Sequence, residues 1–274
     1  MAFFRYPGGK RKLGKKIIQT LRSMRYDVDE YREPFFGGGA VGLKFFADKP
    51  GIHRAWFNDF DLPLAKLWTL AIWDHDELAD RMLSYEPAAS DFYRFKESLT
   101  TATRDEVLAD PVKYAFQKIV IHQISYSGLG TRAGGPIGGR NQTGRWTVEC
   151  RWNAENMLKK IAKTRKLLEN IDVRGNCCSS DDFEHCITDD SCRALLYVDP
   201  PYWEQGESLY QCGFTEDDHI RLAELLKHTH HKWVLSYDAC LQVQELYKWA
   251  MIETLDVSYS INTARRKQEF LIRN

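Results

Sequence analysis

The stretch Leu195-Leu196-Tyr197-Val198-Asp199-Pro200-Pro201-Tyr202 decides how this 274-residue chain is read. Four apolar residues followed by an acid and two prolines predict a buried strand that stops abruptly. Neither proline has a backbone N–H, so a central strand cannot continue through them. Asp199 is thereby placed at the carboxyl end of a strand, where open α/β sheets bind ligands. The two rigid residues hold the ring of Tyr202 beside that carboxylate, an arrangement suited to a planar, amino-bearing group such as a nucleobase. The same letters also describe a turn that merely ends a core strand with its acid in water. The surrounding sequence has to choose.

Upstream, residues 10–25 space Leu13, Ile17, Ile18 and Leu21 along one helical face with lysines opposite. Tyr31-Arg32-Glu33-Pro34-Phe35-Phe36, Gly37-Gly38-Gly39 and Ala40-Val41-Gly42-Leu43 then predict strand, glycine turn and helix. A second strand is expected over 52–58 and a helix over 63–73. From 74 to 171 the alternation lapses into helical periodicity, a Gly- and Arg-rich loop over 125–152, and an amphipathic helix over 153–170. It resumes with a strand at 171–174, a short helix over 181–187 and the strand 194–198. Thr215-Glu216-Asp217-Asp218 predicts an N-cap and acidic first turn for a helix reaching Leu226. A strand over 232–236, a helix over 239–249 and strands over 252–259 and 268–272 follow. The expected fold is an α/β, Rossmann-like sheet, discontinuous in sequence, with a mostly helical insertion: residues 1–73 and 171–274 form one domain and 74–170 the other.

Composition narrows the classes. Lys plus Arg equals Asp plus Glu at 38 each, so any polyanion-binding surface must be a local cluster. No apolar run approaches the roughly 20 residues that span a bilayer, and the first residues lack a signal-peptide pattern. The seven cysteines contain no C-x-x-C pair, which predicts reduced thiols, a cytoplasmic protein and no zinc site.

Four features carry chemistry. The Glu33–Gly39 turn lets backbone N–H groups and a helix N-terminus approach a ligand, and its spacing is not that of a dinucleotide pyrophosphate site. Asp59 ends the next strand, where wound sheets place a ribose-binding acid; a helix cap is the plainer alternative. Arg5-Tyr6-Pro7-Gly8-Gly9-Lys10 is compact, aromatic and basic, and its overlap with a phosphate-binding loop lacks the Ser or Thr for Mg²⁺. Tyr6 and Lys10 are expected to line a cofactor pocket, against the reading of simple helix-start punctuation. The loop over 125–152 holds Arg132, Arg140, Arg145 and Arg151 against one acid, Glu149, interleaved with Tyr126, Asn141, Gln142, Trp146 and Trp152. Arginine reads guanine edges and phosphates, and Asn or Gln reads adenine. A solvated surface loop is the alternative.

These pieces, in this order, resemble the Dam-like DNA adenine-N6 methyltransferases over nearly the whole chain. The resemblance is carried by Tyr6-Pro7-Gly8-Gly9-Lys10, Glu33-Pro34-Phe35-Phe36-Gly37-Gly38-Gly39, Asn58-Asp59, Ser125-Tyr126-Ser127-Gly128-Leu129, Asp199-Pro200-Pro201-Tyr202 and the closing segment Arg265–Ile272, in which no single residue is given a role. Pro7 departs from the small residue frequent at that position in the family. Residues 140–152 match no target-recognition sequence, so no target follows.

The resemblance implies S-adenosylmethionine over Glu33, Phe35 and Gly37, with Asp59 on the ribose and Tyr6 and Lys10 closing the site. Asp182 and Phe183 then fall where relatives contact the cofactor adenine, and Asp199 also borders the cofactor. A target adenine is flipped from double-stranded DNA; Asp199 and the Pro200 carbonyl take its amino hydrogens, and Tyr202 stacks on it. Tyr126, Arg132, Arg140, Asn141, Arg145 and Trp146 are the expected DNA contacts, and no metal is required. A bacterial or phage-encoded monomer is implied, with a partner restriction nuclease as an optional companion. Cytosine N4, RNA or a protein amide as acceptor, or a decayed DNA-binding regulator, are the competing readings.

Overall fold

The computed structural model describes residues 2–7, 10, 13–203, 214–259 and 265–274. Gly8 and Gly9 of the N-terminal turn, and Arg11 and Lys12 of the predicted first helix, lie outside the described residues.

One seven-stranded sheet organises the chain, in the order β3-β2-β1-β4-β5-β7-β6. Its strands are β1 (Glu30–Glu33), β2 (Arg54–Phe57), β3 (Asp172–Val173), β4 (Ala194–Val198), β5 (Lys232–Asp238), β6 (Met251–Tyr259) and β7 (Arg265–Arg273). The first five are parallel, and β7 runs antiparallel to both β5 and β6. Among the described residues the α-helices are α1 (Gly14–Met24), α2 (Gly42–Ala47), α3 (Leu62–Trp73), α4 (Asp76–Leu83), α5 (Ala89–Thr101), α6 (Arg104–Ala109), α7 (Pro111–Ile124), α8 (Ala154–Leu168), α9 (Phe183–Thr188), α10 (Glu216–His228) and α11 (Leu241–Leu246). The predicted α/β sheet is therefore present, with its strands drawn from both sides of the helical insertion.

Strand β4, Ala-Leu-Leu-Tyr-Val, is buried at all five positions, as a central parallel strand covered on both faces should be. Its side chains alternate between two cores: Leu195 and Tyr197 join the one built with α1, α2, α3 and α7, while Ala194, Leu196 and Val198 join the one under α9, α10 and α11. Chain order reverses beside β4, because β1 leads outward to β2 and β3 whereas β4 leads to β5. The ends of β1 and β4 thus flank a topological switch point, the usual ligand crevice of such sheets.

Helix α7 lies inside the predicted insertion, yet ten of its residues are buried and its Ile119, Val120 and Ile124 share a core with Leu64 and Trp68 of α3. Packing runs across residue 74 without a break. Helix ends follow local chemistry. Asp61 caps α3 through Leu64 N–H, with a proline in its first turn. Thr215 is the N-cap of α10 and acids fill its first turn, as the sequence predicts, and Thr215 and Asp218 close it as a capping box. The predicted helix over 239–249 is shorter, ending at Leu246, and the loop over 125–152 contains three short 3₁₀ turns and a bridge between Ser125 and Pro136.

Candidate active site

The carboxylate of Asp199 follows β4 and is 19% exposed. Its Oδ1 sits 2.9 Å from Lys10 Nζ and accepts a 3.0 Å hydrogen bond from Ser236 Oγ on the neighbouring β5. Ser236 is in turn bonded to the Tyr197 hydroxyl at 2.8 Å. No hydrogen bond ends on Oδ2 among the described residues, so the carboxylate has one anchored oxygen and one presented one. Burial raises the Asp199 carboxyl above its ordinary value, while Lys10 and Ser236 pull the other way. Pro200 is buried. Tyr202 is held by its hydroxyl, which accepts from Lys10 and donates to Glu269 Oε2 at 2.6 Å. The Lys10 ammonium also lies 4.3 Å from the Tyr202 ring centroid.

The turn after β1 is shaped by close approach. A Cβ on Gly37 would sit 2.9 Å from Tyr6 Cε1, and one on Gly38 would sit 2.9 Å from Tyr6 Cβ. Tyr6 therefore lies directly over this backbone. Gly37 has φ +50°, donates its N–H to Asp59 Oδ2 at 2.7 Å, and has its carbonyl held by Trp68 Nε1 at 2.8 Å. Glu33 is buried, accepts from the Tyr31 hydroxyl at 3.0 Å and meets the Gly42 N–H; desolvation pushes its carboxyl well up. Asn58 stitches this turn to its neighbours: its amide donates to the carbonyls of Pro34 and Asp181 and accepts from Ser179 Oγ and the Asp181 N–H.

A cavity of about 900 Å³ opens over these strand ends, large enough for a nucleoside cofactor together with a base. Tyr6, Lys10, Glu33, Phe35, Gly37, Asp59, Asp182, Phe183 and Asp199, all proposed from sequence as cofactor contacts, line it. Pro200 and Tyr202 do not; Tyr202 reaches the cavity through Lys10 and Pro201. At one end Phe35, Phe183 and Phe214 form an aromatic cluster, with ring centroids 5.5–5.8 Å apart. Asp182 caps α9 and receives Arg221 on both oxygens, at 3.0 and 2.9 Å. Asp59 accepts the N–H groups of Gly37 and Asp61, and burial together with the neighbouring Asp61 raises its carboxyl to about 7.

From the insertion, α7 contributes Lys118, buried and paired with Asp61, and His122, 4% exposed. His122 Nδ1 lies 3.0 Å from the Gly128 carbonyl, which assigns the proton to that nitrogen. Burial and Lys118 lower its pKa to about 3, and its Nε2 has no hydrogen-bond partner among the described residues.

An acid with one anchored oxygen, a glycine turn under an aromatic ring, a ribose-suited carboxylate and an aromatic end-pocket share one crevice. The family described as D12 class N6 adenine-specific DNA methyltransferase matches this chain over residues 6–261. The chain belongs to that family. Among curated proteins it is similar to the Type II methyltransferase M.MjaIII of Methanocaldococcus jannaschii, 26% identical over 243 residues that cover 82% of this chain and 78% of the relative. The enzyme thus methylates N6 of adenine in DNA, and DNA is its substrate.

The methyltransferase carries its predicted DNA residues on the surface. Tyr126 is 67% exposed and Trp146 61%, and Arg132, Arg140, Asn141 and Arg145 are exposed as well. Arg132 also lines the cavity, while Arg140 lies over the Tyr93 ring of α5 and Arg145 over Trp146. Ser127, between Tyr126 and Gly128, holds φ +55°, a strained value for serine, and faces the same cavity. Sequence reasoning missed Ser236, Glu269, Lys118, His122, Phe214 and Arg221. Each is a single polar or aromatic letter whose place depends on strand pairing or helix packing. Only Arg221, six residues past the predicted N-cap Thr215, carried a local hint of facing the same end of the sheet. No helix among the described residues is long and apolar enough to cross a membrane.

Proposed function

We propose that this methyltransferase uses S-adenosylmethionine to methylate an adenine flipped out of duplex DNA, within a sequence selected by residues 74–170. The observation that carries the reading is Asp199 at the cavity edge, with Oδ1 fixed by Lys10 and Ser236 and Oδ2 presented.

The residues present fit that cofactor. The Gly37–Gly38 backbone is a cradle that a Cβ would fill against Tyr6. Phe35, Phe183 and Phe214 offer apolar faces to a purine, and Asp59 keeps lone pairs for ribose hydroxyls beyond those used by Gly37 and Asp61. When bound, the cofactor supplies an electrophilic methyl group on a sulfonium.

The acceptor chemistry belongs to the protein. Asp199 Oδ2 takes a hydrogen bond from the adenine amino group, and the Pro200 carbonyl is the candidate for the other hydrogen. These bonds draw the N6 lone pair out of conjugation with the ring and aim it. Because burial holds the Asp199 carboxyl above its ordinary value, it is suited to receive the proton that N6 sheds. Catalysis then rests on positioning and local electrostatics. Tyr202 lies outside the cavity lining and is joined to it through Lys10, and its ring meets the base as the base enters beside Asp199. Tyr126, Arg132, Arg140, Asn141, Arg145 and Trp146 meet the duplex. The enzyme acts as a monomer in the cytoplasm, alone or beside a nuclease of the same specificity.

Incubation with duplex DNA and methyl-labelled S-adenosylmethionine, followed by digestion to nucleosides, tests the reading. Label in N6-methyladenine for the wild type and none for Asp199→Ala is expected. Label in N4-methylcytosine, or only with RNA, overturns it.

A further inference from the structure

Two acids stand directly opposite each other on neighbouring antiparallel strands: Asp238 of β5 is paired in register with Glu269 of β7. Like charges in that relation repel, so a sheet gains nothing from them unless each has a task. Both reach back to the turn after β4. Asp238 Oδ1 accepts the backbone N–H of Trp203 at 3.0 Å, and Glu269 Oε2 accepts the hydroxyl of Tyr202 at 2.6 Å. Consecutive residues of the turn are thus held by consecutive strands, one by main chain and one by side chain.

Glu269 does more than hold a ring. Its side chain is 3% exposed, and its Oε2 lies 3.7 Å from the Lys10 ammonium, which is itself on Asp199 Oδ1 and on the Tyr202 hydroxyl. Lys10 is therefore shared between two carboxylates from different strands. With Glu269 in place, the cation stands on the Oδ1 side of Asp199 and the phenol beside it has one orientation. Without it, the phenol loses its acceptor, and Lys10 has only Asp199 to follow. A buried carboxylate that receives both a hydroxyl and an ammonium is costly to leave unpartnered, so the three groups are set as a unit.

We propose that Glu269 is a positioning residue for methyl transfer: through Tyr202 and Lys10 it fixes the wall and the cation that flank Asp199, while Asp238 anchors the next residue of the same turn. The inference rests on the adenine methyl transfer proposed above. It assigns work to β7, the strand inserted between β5 and β6, which otherwise only completes the sheet.

The test compares wild type, Glu269→Gln, Glu269→Asp, Tyr202→Phe and the Glu269→Gln/Tyr202→Phe pair. The rate is measured per cofactor-binding site, so that loss of folded protein does not count as loss of turnover. Glu269→Gln and Tyr202→Phe are each expected to lower kcat about tenfold, with KM for S-adenosylmethionine within about twofold, and the pair to be no slower than its slower member. Glu269→Asp, which keeps the charge but shortens the reach, should fall between wild type and Glu269→Gln. Wild-type kcat in any folded Glu269 variant, or losses that multiply to about a hundredfold in the pair, overturns the proposal. If the Glu269 variants do not fold, Tyr202→Phe decides: an unchanged kcat overturns it and a tenfold loss supports it. A wild-type protein that labels no adenine would instead defeat the methyl-transfer reading itself, and the two failures are thus distinct.

Discussion

The Lys10 ammonium lies 2.9 Å from Asp199 Oδ1 and also meets the Tyr202 hydroxyl, so one cation from the N-terminal segment ties the acid after β4 to the ring three residues on. Asp199 can then offer only its second oxygen to a substrate. Asp199→Ala should reduce kcat by about a thousandfold or more, because in the proposed mechanism it removes both the acceptor of the amino hydrogen and the proton sink. Cofactor affinity, measured by calorimetry, should change by less than about tenfold, since Asp59, the glycine turn and the aromatic cluster stay in place. Lys10→Ala should cost less, about ten- to hundredfold, by freeing Oδ1 and Tyr202 rather than removing the acceptor. Lys10→Ala as damaging as Asp199→Ala would assign the ammonium a direct part in the chemistry.

Gly38 is the second point of leverage. It has an ordinary φ, so an alanine there meets no backbone strain; its Cβ would instead sit 2.9 Å from Tyr6 Cβ. Neither atom is at the free end of a flexible side chain, and the N-terminal segment has to shift. Gly38→Ala is expected to weaken cofactor binding at least tenfold while leaving the melting temperature within a few degrees. Calorimetric titration and thermal melting separate the two effects, and unchanged affinity would show that the approach of Tyr6 to this turn is not needed for binding.

How far the sequence went is clearest at this crevice. Asp199 and Glu33 were legible because strand ends are written locally, as apolar letters stopped by proline or glycine. So was Asp59, one period of the wound sheet later. Glu269 was not legible: its meaning comes from register with Asp238 across an antiparallel pair, and neither residue signals the other in sequence. Lys118 and His122 were hidden differently, inside a helix whose nearly all-round burial gave no polar face to question. Tyr202 was read as a base-stacking ring, and its tether to Lys10 and Glu269 is a tertiary fact that no spacing reveals. The predicted boundary at residue 74 marks a change of rhythm, whereas the core of α3 and α7 ignores it.

Asp59 gives a pH prediction with a definite sign. Its carboxyl is raised from 3.8 to about 7 in the fold, so between those values the folded protein holds a proton that the unfolded chain has released. Stability contributed by this group is therefore greatest at low pH and is lost as pH rises from about 4 to about 7. Asp59→Asn removes that loss. The melting-temperature difference, variant minus wild type, should grow between pH 5 and pH 8 by the equivalent of about 1–3 kcal/mol. Comparing differences cancels the contributions of Glu33 and Asp199, whose carboxyls are also raised. A difference that stays flat across this range would mean that Asp59 titrates at its ordinary value.

The ion pair between Lys118 and Asp61 joins α7 to the cap of α3, with Lys118 3% exposed. Removing the lysine leaves the half-buried Asp61 beside Asp59 without its Lys118 partner. Lys118→Ala should destabilise by about 3–5 kcal/mol in urea unfolding, and adding Asp61→Asn, which keeps a capping side chain at α3, should recover part of that. No recovery in the double variant would place the cost in lost packing of the lysine stem instead of in the stranded charge.

The basic loop supplies the last prediction. The chain has no net charge, so an encounter with DNA depends on where cations are exposed rather than on their number. Arg132, Arg140 and Arg145 are exposed in one segment, and Arg132 alone of the three also borders the cavity. A phosphate contact and a contact near the flipped base should differ in their salt response. Arg140→Ala and Arg145→Ala should weaken binding uniformly across DNA sequences, each lowering the slope of log affinity against log salt by about 1. Arg132→Ala should add to this a fall in kcat, because Arg132, like Ser127 and Leu129, also lines the cavity proposed to receive the flipped base. Fluorescence anisotropy at several salt concentrations gives the slopes, and single-turnover methylation at saturating DNA gives the rate. An Arg132→Ala variant with a normal single-turnover rate would make it one more phosphate contact.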